Sequence, residues 1–406
     1  MKIDQAVILC GGIGKRLMPL TKNTPKPMVK VNNKPFLEYI ISDLKKFGFK
    51  KILLLVGYKS IKIKEYFGDG RNFNILIEYH EGPVFWETGK RIFEARNLLE
   101  SKFLLLYSDN ILSLNYKKLL QNYNNQDIFF VLKNKIPGNF FVKNGMIKKY
   151  SIKRNKNYNF IELGFTIYKK KPLIDFLKKK NNTSINYYFS DRVKNKKNFF
   201  FIHEDIYVSI SDIFRYSITK NYLKNKKIIL LDRDGTITQS PGKGKYLISD
   251  KKIKYIKKNI KLLKSLSKKK FKFIIISNQA CVALKKINCL QLKKINNKIN
   301  FYLKRKNIRI LDTYFCPHHW NDNCQCRKPK PGMFYALSKK YNLNLSKVIF
   351  IGDDIRDMEA AKNANCKAIF LSQNYKRQHN YLKDTILISS KNINLIEKKI
   401  IKFYEN

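Results

Sequence analysis

The chain reads as an α/β protein of two domains, each built on a mainly parallel sheet with crossover helices. Three observations predict this. Short apolar runs of strand length alternate with amphipathic stretches of helix length. The alternation restarts midway, at IILL (Ile228–Leu231). Each half opens with a strand that runs straight into a glycine loop or a carboxylate pair. The 406 residues fit two or three domains at roughly 150 residues each. A hydrophobic content of 44% with 13% aromatics is enough for full cores and excludes a disordered chain.

In the first half, the strand Ala6–Cys10 is followed by GGIGKR, a helix over Phe36–Phe47 and a strand at Lys51–Val56. A helix over Thr88–Leu99 and a strand at Phe103–Tyr107 follow. Strand, helix, strand at this spacing builds a parallel sheet. The polar stretch Lys220–Lys227 closes this domain, which gives domains at 1–222 and 226–406. The second half continues with a helix near Ile253–Leu266 and strands at Phe271–Ser277 and Val348–Asp353.

Lysine and arginine number 83 against 30 acidic residues, a formal charge of +53. The excess is lysine-rich and spread along the chain, with no basic tail and no nucleic-acid-binding motif. Phosphorylated small molecules are therefore the expected anionic partners, and nucleic acid is not. No apolar run approaches the ~18 residues of a membrane helix, and Gln5–Cys10 is a strand rather than a leader. A cytoplasmic protein without a membrane partner is expected. Seven cysteines, three of them between Cys316 and Cys326, favour a metal site over disulfides.

The first chemical motif is ILCGGIGKRLMPLTKNTPKPM, residues 8–28. Gly11, Gly12 and Gly14 after a strand make a turn whose amides can face phosphate, with positive φ expected. Arg16 adds a planar fork for phosphate oxygens, and Lys26, between Pro25 and Pro27, a second cation. This combination closely resembles the opening motif of the sugar-1-phosphate nucleotidyltransferases. The likeness extends over residues 3–220 through KPFLEYII, GYKSIKIKEYF, YSDN and IELGFTIY. It implies a Rossmann-like, three-layer domain that binds a nucleoside triphosphate and a sugar 1-phosphate. Arg16 and Lys26 would stabilise phosphates, Asp109 would hold Mg²⁺, and Glu162, beside Gly164, would accept hydrogen bonds from the sugar.

Two departures stand out. YVSISDIFRY (Tyr207–Tyr216) places Ser209 where the family has a second metal-binding Asp, with Asp205 or Asp212 as substitutes in another register. FWETGKRI (Phe85–Ile92) replaces a small, glycine-rich loop near the base, which leaves the nucleotide open and has a cytidylyltransferase flavour.

The second motif, LLDRDGT (Leu230–Thr236), puts Asp232 and Asp234 at the end of a buried strand. It resembles the haloacid dehalogenase phosphatases, which implies Asp232 as nucleophile and Asp234 as general acid and base. Ser277 and Asn278 at the next strand end, Lys328 in CRKPKPGM and Asp353 in IGDDIRDMEAA follow in the order that family uses. Asp232, Asp234 and Asp353 would hold Mg²⁺, with Asp357 at a usual metal position. In CPHHWNDNCQCRKPKPG, three cysteines and a histidine suit tetrahedral zinc: Cys316, His318, Cys324 and Cys326, with His319 the alternative ligand. Over residues 228–375 the order resembles the D,D-heptose 1,7-bisphosphate phosphatases, whose zinc loop would hold Arg327 and Lys328 over the phosphate. ACVALKK after SNQ departs from that family's run. Cys10, Cys281, Cys289 and Cys366 read as small packing residues.

Together the resemblances imply a bifunctional enzyme of nucleotide-activated heptose synthesis, needing Mg²⁺ in both halves and Zn²⁺ in the second. GDP-heptose for surface polysaccharide is the expected product. The rivals are a phosphatase with a regulatory, sugar-nucleotide-binding first half, or a cytidylyl or other transferase with a different phosphorylated substrate.

Overall fold

Gln5–Cys10 is buried along its whole length because Ala6, Ile8 and Cys10 face one apolar layer while Val7 and Leu9 face another. A strand with helices on both faces has this uninterrupted apolar character. The structure, a computed structural model, describes residues 3–195, 199–242, 244–372 and 377–405. The expected domain ranges therefore include positions at 1–2, 196–198, 243, 373–376 and 406 that lie outside the described residues. The chain divides into two compact units, Met1–Leu223 and Lys224–Asn406.

In the first unit Gln5–Cys10 lies between Lys51–Val56 and Lys102–Tyr107, parallel to both, and Leu76–Glu81 extends the sheet beyond Lys51–Val56. Register aligns Cys10 with Val56 and Leu9 with Tyr107, so these strands end at one edge. The chain builds outward on one side of Gln5–Cys10 before returning to the other, and such a switch point leaves a crevice at the carboxyl ends. The helix Phe36–Lys46 packs Phe36, Leu37, Ile40, Ile41 and Leu44 inward at helical spacing.

The remaining strands amend the expectation of a mainly parallel sheet. Phe160–Lys169 runs antiparallel to Lys102–Tyr107 and carries a wing of Ile128–Asn134, Gly138–Lys143 and Met146–Asn155. Tyr207–Ser209 pairs separately with Asn110–Leu112. The helix starting at Thr88 ends at Glu94, and Arg96–Leu98 is a 3-10 turn. The stretch expected to link the halves begins inside the helix Ile213–Leu223, because Tyr222 and Leu223 are buried in the first core.

The second unit has six parallel strands in the order Ile310–Cys316, Lys272–Asn278, Ile228–Leu231, Ile349–Gly352, Lys367–Phe370 and Ile386–Ser389. Ile228 and Leu230 face one core, Ile229 and Leu231 the other. The helix expected from Ile253 starts at Lys257, since Tyr255 bridges to Thr238 in extended form.

Candidate active sites

In the first unit the loop leaving Gln5–Cys10 borders a cleft of about 570 Å³, lined by Gly11, Gly12, Gly14, Arg16, Lys26 and Asp109 among others. Gly14 sits at φ +73°, and a Cβ there would stand 2.9 Å from Lys26 Cβ. Gly11 and Gly12 are not at positive φ. Gly12 faces open space, whereas a Cβ on Gly11 would collide with the Arg91 guanidinium. Lys26, held in a 3-10 turn after Pro25, donates to Asp109 Oδ2 at 2.5 Å.

Asp109 also lines a second cleft of about 280 Å³ with Glu162, Gly164, Asn139 and Tyr150. Tyr107 borders both clefts as well. Gly164 at φ +78° brings the backbone onto the Tyr107 ring, where a Cβ would stand 2.8 Å away. Burial pushes the Glu162 carboxyl up to about 7, against hydrogen bonds from the Gly164 amide and the Thr166 hydroxyl. Ser209 lies opposite Asn110, and Ile210 N donates to Asp109 O at 2.9 Å, so Ser209 stands beside Asp109. Its hydroxyl is 3.2 Å from that of Ser211, which lines the larger cleft. Asp205 and Asp212 border neither cleft; Asp205 accepts from Ile206 N and Asp212 from Arg215 N. Magnesium at this site would thus find the Asp109 carboxylate and neutral hydroxyls. One or two carboxylates with substrate phosphates suit that ion, so the residues fit.

In the second unit Asp232, Asp353 and Asp357 gather at the sheet edge, with one carboxylate oxygen of each within 4.8 Å of the others. Buried Lys328 lies 2.5 Å from Asp232 and 2.7 Å from Asp357. Burial opposes its charge, yet the two carboxylates hold it above the ordinary lysine range. Burial also drives Asp232 upward, against the pull of Lys328. Asp353 is pushed up to about 6 by burial and by Asp357. Three carboxylates around one ammonium call for a divalent cation, so magnesium fits. Gly235, at φ +89°, is needed because any Cβ would collide with the Asp353 carboxylate.

The zinc-type cluster is assembled in the same unit. Sulfur–sulfur separations among Cys316, Cys324 and Cys326 are 3.3 to 3.6 Å, and His318 Nδ1 lies 3.1 Å from Cys326 Sγ and 3.5 Å from Cys316 Sγ. A regular tetrahedron with metal–sulfur bonds of about 2.3 Å has edges of roughly 3.8 Å, so a zinc ion fits with little adjustment. His319 is engaged elsewhere, its Nδ1 accepting from Asn321 N.

Known proteins resemble the two units separately. The nucleotidyl transferase family model matches residues 5–151, and the polynucleotide kinase 3 phosphatase model matches residues 227–384. A probable glucose-1-phosphate cytidylyltransferase of Bacillus subtilis is 31% identical over 204 residues, covering 44% of this chain and 80% of that protein. The D-glycero-alpha-D-manno-heptose-1,7-bisphosphate 7-phosphatase of Photorhabdus laumondii is 33% identical over 152 residues, covering 36% of this chain and 81% of that protein. The chain belongs to both families, the sugar-phosphate nucleotidyltransferases in its first half and the heptose bisphosphate phosphatases in its second. The D-glycero-alpha-D-manno-heptose 1-phosphate guanylyltransferase of Campylobacter jejuni is 42% identical over 118 residues. That match covers 29% of this chain and 53% of the relative, so this chain aligns with about half of that protein.

Several expected residues stand elsewhere in the phosphatase half. Asp234 is not among the gathered carboxylates; it pairs with Arg233 at 2.8 Å and accepts from Gln279 and Thr238. Burial opposes its charge, but these donors hold it below the usual carboxylate range. Asp357 is the third potential ligand in its place. Asn278 is engaged with the Lys328 backbone, its amide donating to O at 2.9 Å and accepting from N at 3.0 Å. Ser277 ends its strand with its hydroxyl accepting from Gln279 Nε2 at 2.7 Å. Arg327 lines a shallow cleft of about 360 Å³ together with Lys328 and Arg356. Cys10, Cys281 and Cys366 are buried, but Cys289 is exposed at the start of its helix.

Sequence reasoning missed Arg233, Gln279 and Arg91. Arg233 is 1% exposed and ties Asp234 to Asn296. The invitation to see it was its place between the two aspartates; Gln279 was visible as the end of SNQ. Nothing in the sequence marks Arg91 as buried.

Proposed function

We propose that the chain makes a nucleotide-activated heptose in two steps. The phosphatase half removes the 7-phosphate of a D-glycero-D-manno-heptose 1,7-bisphosphate, and the transferase half joins the heptose 1-phosphate to a nucleoside monophosphate, releasing pyrophosphate. The relatives in Photorhabdus and Campylobacter support the pairing, since the bisphosphate named for one, less its 7-phosphate, is the substrate named for the other. The observation that carries the reading is that Asp109 borders two adjoining clefts, one carrying the glycine loop and cations and the other carrying Glu162.

In the phosphatase half, Asp232 attacks phosphorus and forms an aspartyl phosphate as the sugar oxygen leaves; Asp234, ionised among its donors in the substrate-free chain, serves as the acid once substrate displaces one of them and it takes up a proton. Asp234 then takes a proton from the water that hydrolyses the intermediate. Lys328 steadies the transferring group, and Ser277 hydrogen-bonds it. Bound magnesium, held by Asp232, Asp353 and Asp357, would neutralise charge on the phosphoryl oxygens. In the transferase half, a sugar phosphate oxygen attacks the α-phosphorus. Arg16 and Lys26 balance the charge of the departing pyrophosphate, and Glu162 orients the sugar. Structural zinc, magnesium in both halves, a cytoplasmic location and a product destined for lipopolysaccharide complete the proposal.

The test is an end-point assay of the full chain on heptose 1,7-bisphosphate with Mg²⁺. Phosphate release, followed by pyrophosphate release on adding a nucleoside triphosphate, is expected. Asp109→Ala should abolish the second step alone, and absence of pyrophosphate with every triphosphate would overturn the transferase reading in favour of a regulatory first half. Cytidylyl transfer is the second reading, favoured by the longer match to the Bacillus subtilis relative.

A further inference from the structure

The larger cleft of the first unit carries cations for a triphosphate, yet Glu87 also lines it. The Glu87 carboxylate makes no hydrogen bond or ion pair among the described residues, and the neighbouring Lys90 is committed to Glu94 at 2.6 Å. Asp109, the other carboxylate on this cleft, is occupied by Lys26. A carboxylate repels phosphate, so a nucleotide in this cleft would keep its phosphates away from Glu87.

The loop holding it is fixed from beneath. Arg91, 5% exposed, donates to the carbonyls of Val56 at 3.0 Å, Pro83 at 2.6 Å, Gly82 at 3.3 Å and Trp86 at 3.2 Å. It has no carboxylate partner among the described residues, so its donors tie three loop carbonyls to the end of the strand Lys51–Val56. The guanidinium lies against Gly11 and Gly57, where a Cβ would meet it. Asn182 secures the loop from outside, accepting from Glu87 N at 2.8 Å and donating to Phe85 O at 3.1 Å. Phe85, 75% exposed, lines the same cleft, and an exposed aromatic ring is available for stacking.

An acceptor-only group on a loop whose backbone is held in place selects for the base that presents adjacent donors. Guanine does so through N1–H and the 2-amino group. Cytosine and adenine set an acceptor beside their amino group, and uracil flanks its N–H with carbonyls. We propose that Glu87 is the base-reading residue of the transferase half and selects guanine, with Arg91 as the positioning residue that holds its loop. This inference rests on the nucleotidyl-transfer reading and names the nucleotide that reading leaves open.

Titration calorimetry on the full chain with GTP, ITP, CTP and 2′-deoxy-GTP tests it, because ITP lacks only the 2-amino donor. The native chain should bind GTP about ten- to a hundredfold more tightly than ITP, the worth of a good bidentate contact. Glu87→Gln should bring that ratio close to one, with ITP still bound as in the native chain, which reports that the first unit of the variant is folded. Equal binding of GTP and ITP, or tighter binding of CTP, would overturn the assignment while leaving transfer intact. Equal GTP and ITP with weakened 2′-deoxy-GTP would move Glu87 to the ribose and overturn it as well. If no triphosphate binds, the transferase reading itself fails.

Discussion

Replacing Lys328 with methionine tests the phosphatase centre most directly. The side chain is 3% exposed and lies 2.5 Å from Asp232 and 2.7 Å from Asp357, whose side chains are 10% and 3% exposed. Methionine fills similar space but leaves the carboxylates facing one another without a cation. Breaking a buried pair by removing one partner costs about 3–5 kcal/mol. For a unit of this size each kcal/mol lowers the melting temperature by about 2–4 °C, so a fall of roughly 6–20 °C is expected. Magnesium should recover part of it, since a divalent cation supplies the missing charge. Phosphate release should drop by about a hundred- to a thousandfold, the cost of losing one preorganised donor to a transferring group. Heat inactivation of phosphatase activity with and without Mg²⁺ measures both effects. A variant that melts within about 2 °C of the native chain and keeps activity within a few-fold would refute the reasoning.

Three further outcomes follow from the sites. Cys324→Ser should lower zinc content, measured by plasma emission, from one per chain toward none and cut phosphatase activity, because the polar loop from Cys316 to Cys326 has no core of its own. For Glu162, the folded carboxyl is raised from 4.5 to about 7, so the folded state keeps a proton that the unfolded state loses between those values. That contribution favours folding at acid pH and is lost as pH rises through 7. Because only the ionised form accepts two sugar hydroxyls, the KM for sugar 1-phosphate should fall between pH 6 and 8 in the native chain and stay flat in Glu162→Gln, as read by initial rates. Arg233→Lys should slow phosphatase turnover more than it raises KM, because a lysine cannot hold Asp234 and Asn296 together as the fork does.

The sequence carried the strands and the loops at their ends well, because buried parallel strands are apolar runs of fixed length and the motifs sit where they stop. Ile228–Leu231 leading to Asp232 and Gln5–Cys10 leading to Gly11 are such cases. It offered His318 and His319 as alternative ligands, with the resemblance favouring His318; His318 lies against Cys316 and Cys326, and His319 bonds to Asn321. What it could not show were relations set by packing. Gly11 was read as conformational freedom, but it is small because a buried arginine eighty residues later lies against it. Asp234 and Asp357 are equally acidic in sequence; which joins the gathered carboxylates depends on Arg233 drawing one of them aside. That the Asn278 amide would pair with the Lys328 backbone fifty residues later is likewise a matter of packing. The antiparallel wing escaped because strands such as Met146–Asn155 are largely exposed and polar.

The two clefts treat charge in opposite ways, and that difference dictates when each takes a metal. Around Lys328 three carboxylates gather with one ammonium, a formal charge of −2, while Asp234 is neutralised separately by Arg233. That centre is short of a divalent cation before any substrate arrives. The transferase cleft has Lys15, Arg16, Lys26 and Arg91 against Asp109 and Glu87, a formal excess of positive charge. A bare divalent cation is repelled there, whereas a triphosphate brings its own counter-ion with it. Magnesium titrated into the nucleotide-free chain should therefore occupy one site, lost in Asp353→Asn and retained in Asp109→Asn, and a second should appear only with nucleoside triphosphate. If Asp109→Asn removed magnesium from the nucleotide-free chain, the charge argument would be wrong, and Ser209 and Ser211 would have to be completing a metal site that their neutral hydroxyls do not explain.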